Sequence, residues 1–232
     1  MQDLPPFPGF TPDGLRLLRD LRTHNDRDWF KPRKEQFDDA LFWPARCLAA
    51  DFARRAADLP LTGDPKRGLF RIYRDTRFSK DKRPYKTHLG LVLSRSGSRR
   101  DPGALYVHVE PDASFLAAGY WRPESALLRR WRSRIAAEPD AWTDVVERVA
   151  ATGLEIKPLE SLKRMPRGFE AHADAPEADW LRAKSFIAER SVPDEALLEP
   201  AFTEAVVQAG RDALPLLAWG WALLDGDAPA HH

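Results

Sequence analysis

Leu105-Tyr106-Val107-His108-Val109-Glu110 alternates apolar and polar side chains with a period of two, and Pro111-Asp112 then turns the chain into another extended stretch from about Ser114 to Trp121. Successive side chains of a strand point to opposite faces, so Leu105, Val107 and Val109 share one face while Tyr106, His108 and Glu110 share the other. Upstream, Leu89, Leu91 and Leu93 alternate with His88, Gly90 and Val92. Before them, Phe70 and Ile72 alternate with Arg71, Tyr73 and Asp75, with a turn from Asp81 to Pro84 in between. Alternating runs joined by short turns predict an antiparallel meander with one packed face and one accessible face. Phe186 and Ile187 suggest a fifth strand near 184–190.

On either side of these runs the period lengthens to three or four. Thr11-Pro12 reads as a helix start: the hydroxyl caps free N–H groups and Pro occupies the first position, where no donor is needed. Asn25 opens the next helical stretch, which Pro32 and Pro44 divide into segments. Pro123 and Pro139 begin two more helices, residues 153–180 read as irregular, and a last helical region is expected from Asp194 to Leu224. The fold class is therefore α+β: an antiparallel meander sheet of four to five strands, with N- and C-terminal helices packed on one face. No long linker or repeat interrupts it, so residues 1–232 are expected to form a single domain, with 225–232 as a loose tail.

A hydrophobic share of 43% with 12 Phe and 8 Trp excludes a disordered chain. No apolar run approaches the length of a membrane span, and the start MQDLPPFPGF lacks a secretory signal, so a cytoplasmic protein without a membrane partner is expected. Cys47 has no second cysteine to pair with, and among Leu41, Phe42, Leu48 and Phe52 it reads as a buried thiol.

Net charge is only +1, yet residues 66–100 hold twelve Lys or Arg against two acids, Asp75 and Asp81. Within this segment Arg71, Arg74, Asp75, Arg77, Phe78, Asp81, Lys82 and Tyr85 form an Arg-x-x-Arg-Asp-x-Arg-Phe run followed by an acid-Lys pair and a Tyr. The run resembles a bacterial family of uncharacterised proteins catalogued as domain of unknown function 2461. The similarity extends to Asn25-Asp-Arg-Asp-Trp29-Phe30, Tyr106-Val-His108-Val-Glu110-Pro111, Gly119-Tyr-Trp-Arg-Pro123 and Pro166-Arg-Gly168-Phe169. It implies a shared fold and a shared site, and no established activity.

Several cations on one sheet face would make an anion site, because guanidinium forks bind phosphate or carboxylate oxygens in pairs. The candidate ligand-binding residues are Arg71, Arg74, Asp75, Arg77, Lys82, Tyr85 and Lys86. Arg74 falls on the side of Phe70 and Ile72, so a bulge must re-aim it or a carboxylate must pair with it there. The competing structural explanation is a salt-bridged hairpin in which Asp75 and Asp81 absorb part of the charge.

His88, His108 and Glu110 share the accessible face and are the catalytic candidates, as acid and base. No metal is expected, since no His-x-His or His-x-x-x-His spacing occurs and the surrounding cations repel one. No nucleotide-binding loop or hydrolase elbow is present, and no cofactor is indicated. The function that follows is binding of a phosphorylated or other anionic ligand on an open sheet face, with acid-base or phosphoester-cleaving chemistry. A non-enzymatic nucleic-acid module and a protein-interaction scaffold are the alternatives, and the residues alone do not decide whether the chain is an enzyme.

Overall fold

A computed structural model describes residues 4–226. The expected loose tail, with His231 and His232, falls outside the described residues from 227 onward; Asp225 ends the last helix.

Six strands, β1 (Thr62–Gly63), β2 (Leu89–Ser94), β3 (Ala104–Val109), β4 (Ser114–Tyr120), β5 (Glu155–Leu159) and β6 (Ser185–Val192), form one open antiparallel sheet in the order β1-β2-β3-β4-β6-β5, with helices around it. The count corrects the expected four to five. β1 is only two residues long, pairing Thr62 with Ser94 and Gly63 with Leu93. β5 contains Pro158, which cannot donate to a ladder and argues against a central strand. It is tolerated because β5 has β6 as its only neighbour in the strand order.

The strand expected from Leu69 to Asp75 reduces to two isolated bridges, Leu69 to Leu91 and Tyr73 to Tyr85. Arg74 N–H donates to the Pro84 carbonyl at 2.8 Å and Lys86 N–H to the Ile72 carbonyl at 2.7 Å, but Pro84 has no N–H to return to Arg74, so the ladder is incomplete there. A second departure concerns exposure. Leu89, Leu91, Leu105 and Val107 are buried as the alternation requires, but β2 is buried at every position.

The chain divides into two compact units. Among the described residues, the first comprises 4–101, 106–116 and 191–208. Its first helix, α1 (Pro12–Thr23), starts as the sequence implies, Thr11 Oγ1 accepting from Gly14 N–H at 3.1 Å. The helical path then runs from Arg27 to α2 (Trp43–Arg55) through a 3-10 turn at Lys31–Arg33 and a π turn at Asp38–Phe42. Both irregularities accompany a proline, Pro32 and Pro44, whose missing donor breaks the regular ladder. Cys47 on α2 is fully buried, and burial raises its thiol pKa. The buried Asp51 carboxylate accepts from the Phe7 N–H and from Arg54 and Arg55.

Among the described residues, the second unit comprises 102–105, 117–190 and 209–226. Its helices α3 (Ser125–Ala137), α4 (Pro139–Ala150) and α6 (Leu214–Asp225) pack on one another; the preceding α5 (Phe202–Asp212) lies mostly in the first unit. An aromatic core holds them, with Trp131 stacked on Phe186 at 4.5 Å and edge-on to Tyr120 at 4.8 Å. Such rings bury large apolar areas at fixed geometry.

Candidate functional site

The first unit brings His88, His108 and Glu110 together. His108 lies in β3, Glu110 follows its last residue, and His88 precedes the first residue of β2. The pleat places Tyr106, His108 and Glu110 in a row: Tyr106 Oη lies 3.1 Å from His108 Nδ1, and His108 Nε2 lies 3.0 Å from Glu110 Oε2. Phe115 of β4 stacks on the His108 ring at 4.4 Å and 12°, and the His88 ring lies 4.4 Å away from it. Glu110 is fixed by both its main chain and its carboxylate. Ser114 Oγ donates to its carbonyl at 2.8 Å, Thr87 Oγ1 donates to Oε1 at 3.2 Å, and Arg22 from the end of α1 sits 3.3 Å from Oε1.

Burial alone would raise the Glu110 carboxyl, but the His108 hydrogen bond and the charges of His108 and Arg22 outweigh it, and the pKa falls below its ordinary value. The His88 pKa is lowered as well, to about 4, mainly by burial and then by the neighbouring His108, Lys86 and Arg74. It is therefore a neutral imidazole at pH 7. Burial, with Glu110 nearby, raises the Tyr106 phenol to about 12, so it stays protonated.

Beside His88 opens a cleft of about 370 Å³ walled by Tyr85, Lys86, Thr87 and His88 on one arm of the basic segment, with Arg74, Asp75 and Arg83. Asp81 ties the two arms, accepting from Arg74 at 2.5 Å and from Arg83 at 2.7 Å. Lys86 has no carboxylate partner among the described residues; its ammonium sits 4.8 Å from the Phe70 ring centroid, and burial followed by Arg99 lowers its pKa.

A family model described as conserved hypothetical protein (DUF2461) matches residues 13–219, the span that holds the cluster and the cleft. The chain belongs to the DUF2461 family. No curated protein and no solved structure matches it.

In this DUF2461 chain the candidate residues divide into two groups. Arg74, Asp75, Tyr85, Lys86 and His88 line the cleft, with His108 and Glu110 against His88. Arg71, Arg77 and Lys82 are exposed and stand outside its lining. Arg77 is held in a fork by Asp75 at 3.0 and 2.7 Å, so part of the basic segment is the salt-bridged hairpin considered above. Arg74 finds its carboxylate across the hairpin, in Asp81. Tyr85 is buried, its ring stacked on Phe30 at 4.1 Å, and walls the cleft without offering a free face.

Four contributors to the DUF2461 site were not among the candidate site residues of the sequence: Arg22, Asn25, Thr87 and Phe115. Asn25 does not cap the following helix, a task that Asp26 performs. Its side-chain amide instead exchanges two hydrogen bonds with the Tyr85 backbone, at 3.1 and 3.0 Å, and so anchors the cleft wall. The one available signal was the similarity that begins at Asn25. Arg22, Thr87 and Phe115 carry no local signal, since their roles depend on which side chain lies opposite.

Proposed function

We propose that this chain binds a phosphorylated or other anionic ligand in the cleft beside His88 and acts on it by acid-base chemistry, phosphoester cleavage being the reaction class its residues suit. The observation that carries the proposal is Lys86. An ammonium half-buried without a counter-ion is costly, and an anion entering the cleft would supply the missing charge. Arg74 and Arg83 flank it, and guanidinium groups already oriented by Asp81 keep further N–H donors for oxygens of the ligand. Behind His88, both ring nitrogens of His108 are engaged, by Tyr106 and Glu110. That arrangement suits a pair that stores and orients a proton, with His88 as the group nearer the ligand.

Titration calorimetry with inorganic phosphate and pyrophosphate tests the binding step. Lys86→Met keeps the stem on Phe70 and removes the charge, and affinity should fall by about 1.5–3 kcal/mol, the worth of a charged hydrogen bond. Unchanged affinity would remove the anion site. In a panel of phosphomonoesters and phosphodiesters, any turnover should drop about a hundredfold in His108→Gln.

A second function has an observation of its own. Phe78 is 95% exposed and Tyr73 54% exposed, beside Arg77, Lys80 and Lys82. Open aromatic faces among cations suit stacking on single-stranded nucleic acid.

A further inference from the structure

His88 before β2 meets His108 and Glu110 at the end of β3, and each offers a ligand atom within 4.8 Å of the others, the one such set among the described residues. Neighbouring atoms that share one metal at ~2.0–2.2 Å lie ~3–3.5 Å apart, at the short end for right-angled and the long end for tetrahedral coordination. His108 Nε2 and Glu110 Oε2 already have that spacing, at 3.0 Å. His88 has only to swing inward, and no hydrogen bond to another described residue restrains its ring. We infer that these three side chains bind a divalent first-row transition-metal ion, leaving its remaining coordination positions open to water or ligand.

The surroundings suit that task. Tyr106 engages the far nitrogen of His108, which sets the ring's orientation, as groups behind metal-bound imidazoles commonly do. Thr87 and Arg22 both address Oε1 of Glu110 and leave Oε2 turned to His108. Of the cations expected to repel a metal, Arg74 is engaged by Asp81 and Lys86 is turned to Phe70, while Arg22 sits on Oε1 of Glu110 and on the Pro111 carbonyl at 2.7 Å, away from Oε2. Two imidazoles and one carboxylate favour zinc or ferrous iron over calcium or magnesium, which prefer all-oxygen sets. The linear spacings sought in the sequence are absent because β2 and β3 deliver the ligands separately. The inference does not rest on the anion proposal, since the three ligand atoms meet whether or not the cleft is filled; a bound ion would take the place of the proton between His108 Nε2 and Glu110 Oε2 and so replace the proton-storing role of that pair.

The test uses the full chain, freed of metal with a chelator and titrated with Zn²⁺ by calorimetry and with Co²⁺ by visible absorption. One ion per chain is expected, with a ligand-field spectrum of a nitrogen- and oxygen-bound centre. Affinity should fall at least tenfold in His88→Ala and in Glu110→Gln, and about tenfold in Tyr106→Phe, which removes only the group behind His108. His88→Ala should leave the melting temperature of the metal-free protein within a few degrees, so its readout survives if the other variants fold poorly. His172→Ala and removal of His231 and His232 should change nothing. Binding that persists undiminished in His88→Ala, or that is lost with the terminal histidines, overturns the site. Lys86→Met separates the two proposals, because it should weaken phosphate binding while leaving Co²⁺ affinity within about threefold.

Discussion

Tyr106 lies directly over Gly90, so close that a methyl group on Gly90 would come within 2.5 Å of Tyr106 Oη and 2.9 Å of its ring. The glycine thus makes room for the ring that reaches His108. In Gly90→Ala the phenol has to shift, and its 3.1 Å hydrogen bond with His108 Nδ1 breaks. The expected outcome is destabilisation of about 1–3 kcal/mol, the usual cost of overpacking. Urea unfolding measures it, and nitrogen NMR of the His108 ring reports the altered hydrogen bond. An unchanged ring signal would show that Tyr106 does not hold the imidazole.

Asp51 is the best-buried carboxylate of the first unit, at 3% exposure. Burial pushes its pKa up, but the hydrogen bonds from Arg55 and the Phe7 N–H outweigh it and hold the folded value below the ordinary one. A lowered folded pKa contributes stability that is fully present above the unfolded value, about 3.9, and is lost as pH falls through the folded value. Asp51→Asn should therefore cost about 1–3 kcal/mol at pH 7, with the difference from the parent shrinking below pH 4. Urea melts at pH 7, 5 and 3.5 check the sign. A difference that grows in acid would contradict it.

The exposed tip around Phe78 gives a separate expectation for single-stranded oligonucleotides. Should they bind there, log affinity falls linearly with log salt, and Arg77→Ala or Lys82→Ala makes the slope shallower by about 0.7 for each phosphate no longer neutralised. Phe78→Ala should cost about 1–3 kcal/mol by removing a stacking platform. Fluorescence anisotropy at several salt concentrations measures both. Salt-independent binding, or no effect of Phe78→Ala, would remove this surface as a nucleic-acid site.

Part of the fold and the site was legible because some signals are local. Thr11-Pro12 starts α1 by chemistry confined to its first turn, and β3, β4 and β6 announce themselves by alternation or apolar content. β5 did not, because Pro158 and its charged neighbours read as a loop. Only its place at the end of the strand order makes the missing N–H harmless. The basic segment was legible as charge, but not as a division between paired and unpaired cations. Arg74, Arg77 and Arg83 meet the two local acids, whereas Lys86 turns to Phe70.

By itself the sequence determined that Tyr106, His108 and Glu110 share a face, since the strand pleat repeats every two residues whatever surrounds it. It also determined that twelve cations crowd residues 66–100. Only the tertiary structure decided that His88 stands against His108, that Arg22 and Thr87 hold Glu110, and that Asn25 anchors Tyr85. The reason is physical: periodicity is a property of one strand's backbone. Register and opposition depend instead on the strand alongside and the helix that closes over it, and these are chosen by burial of the whole face.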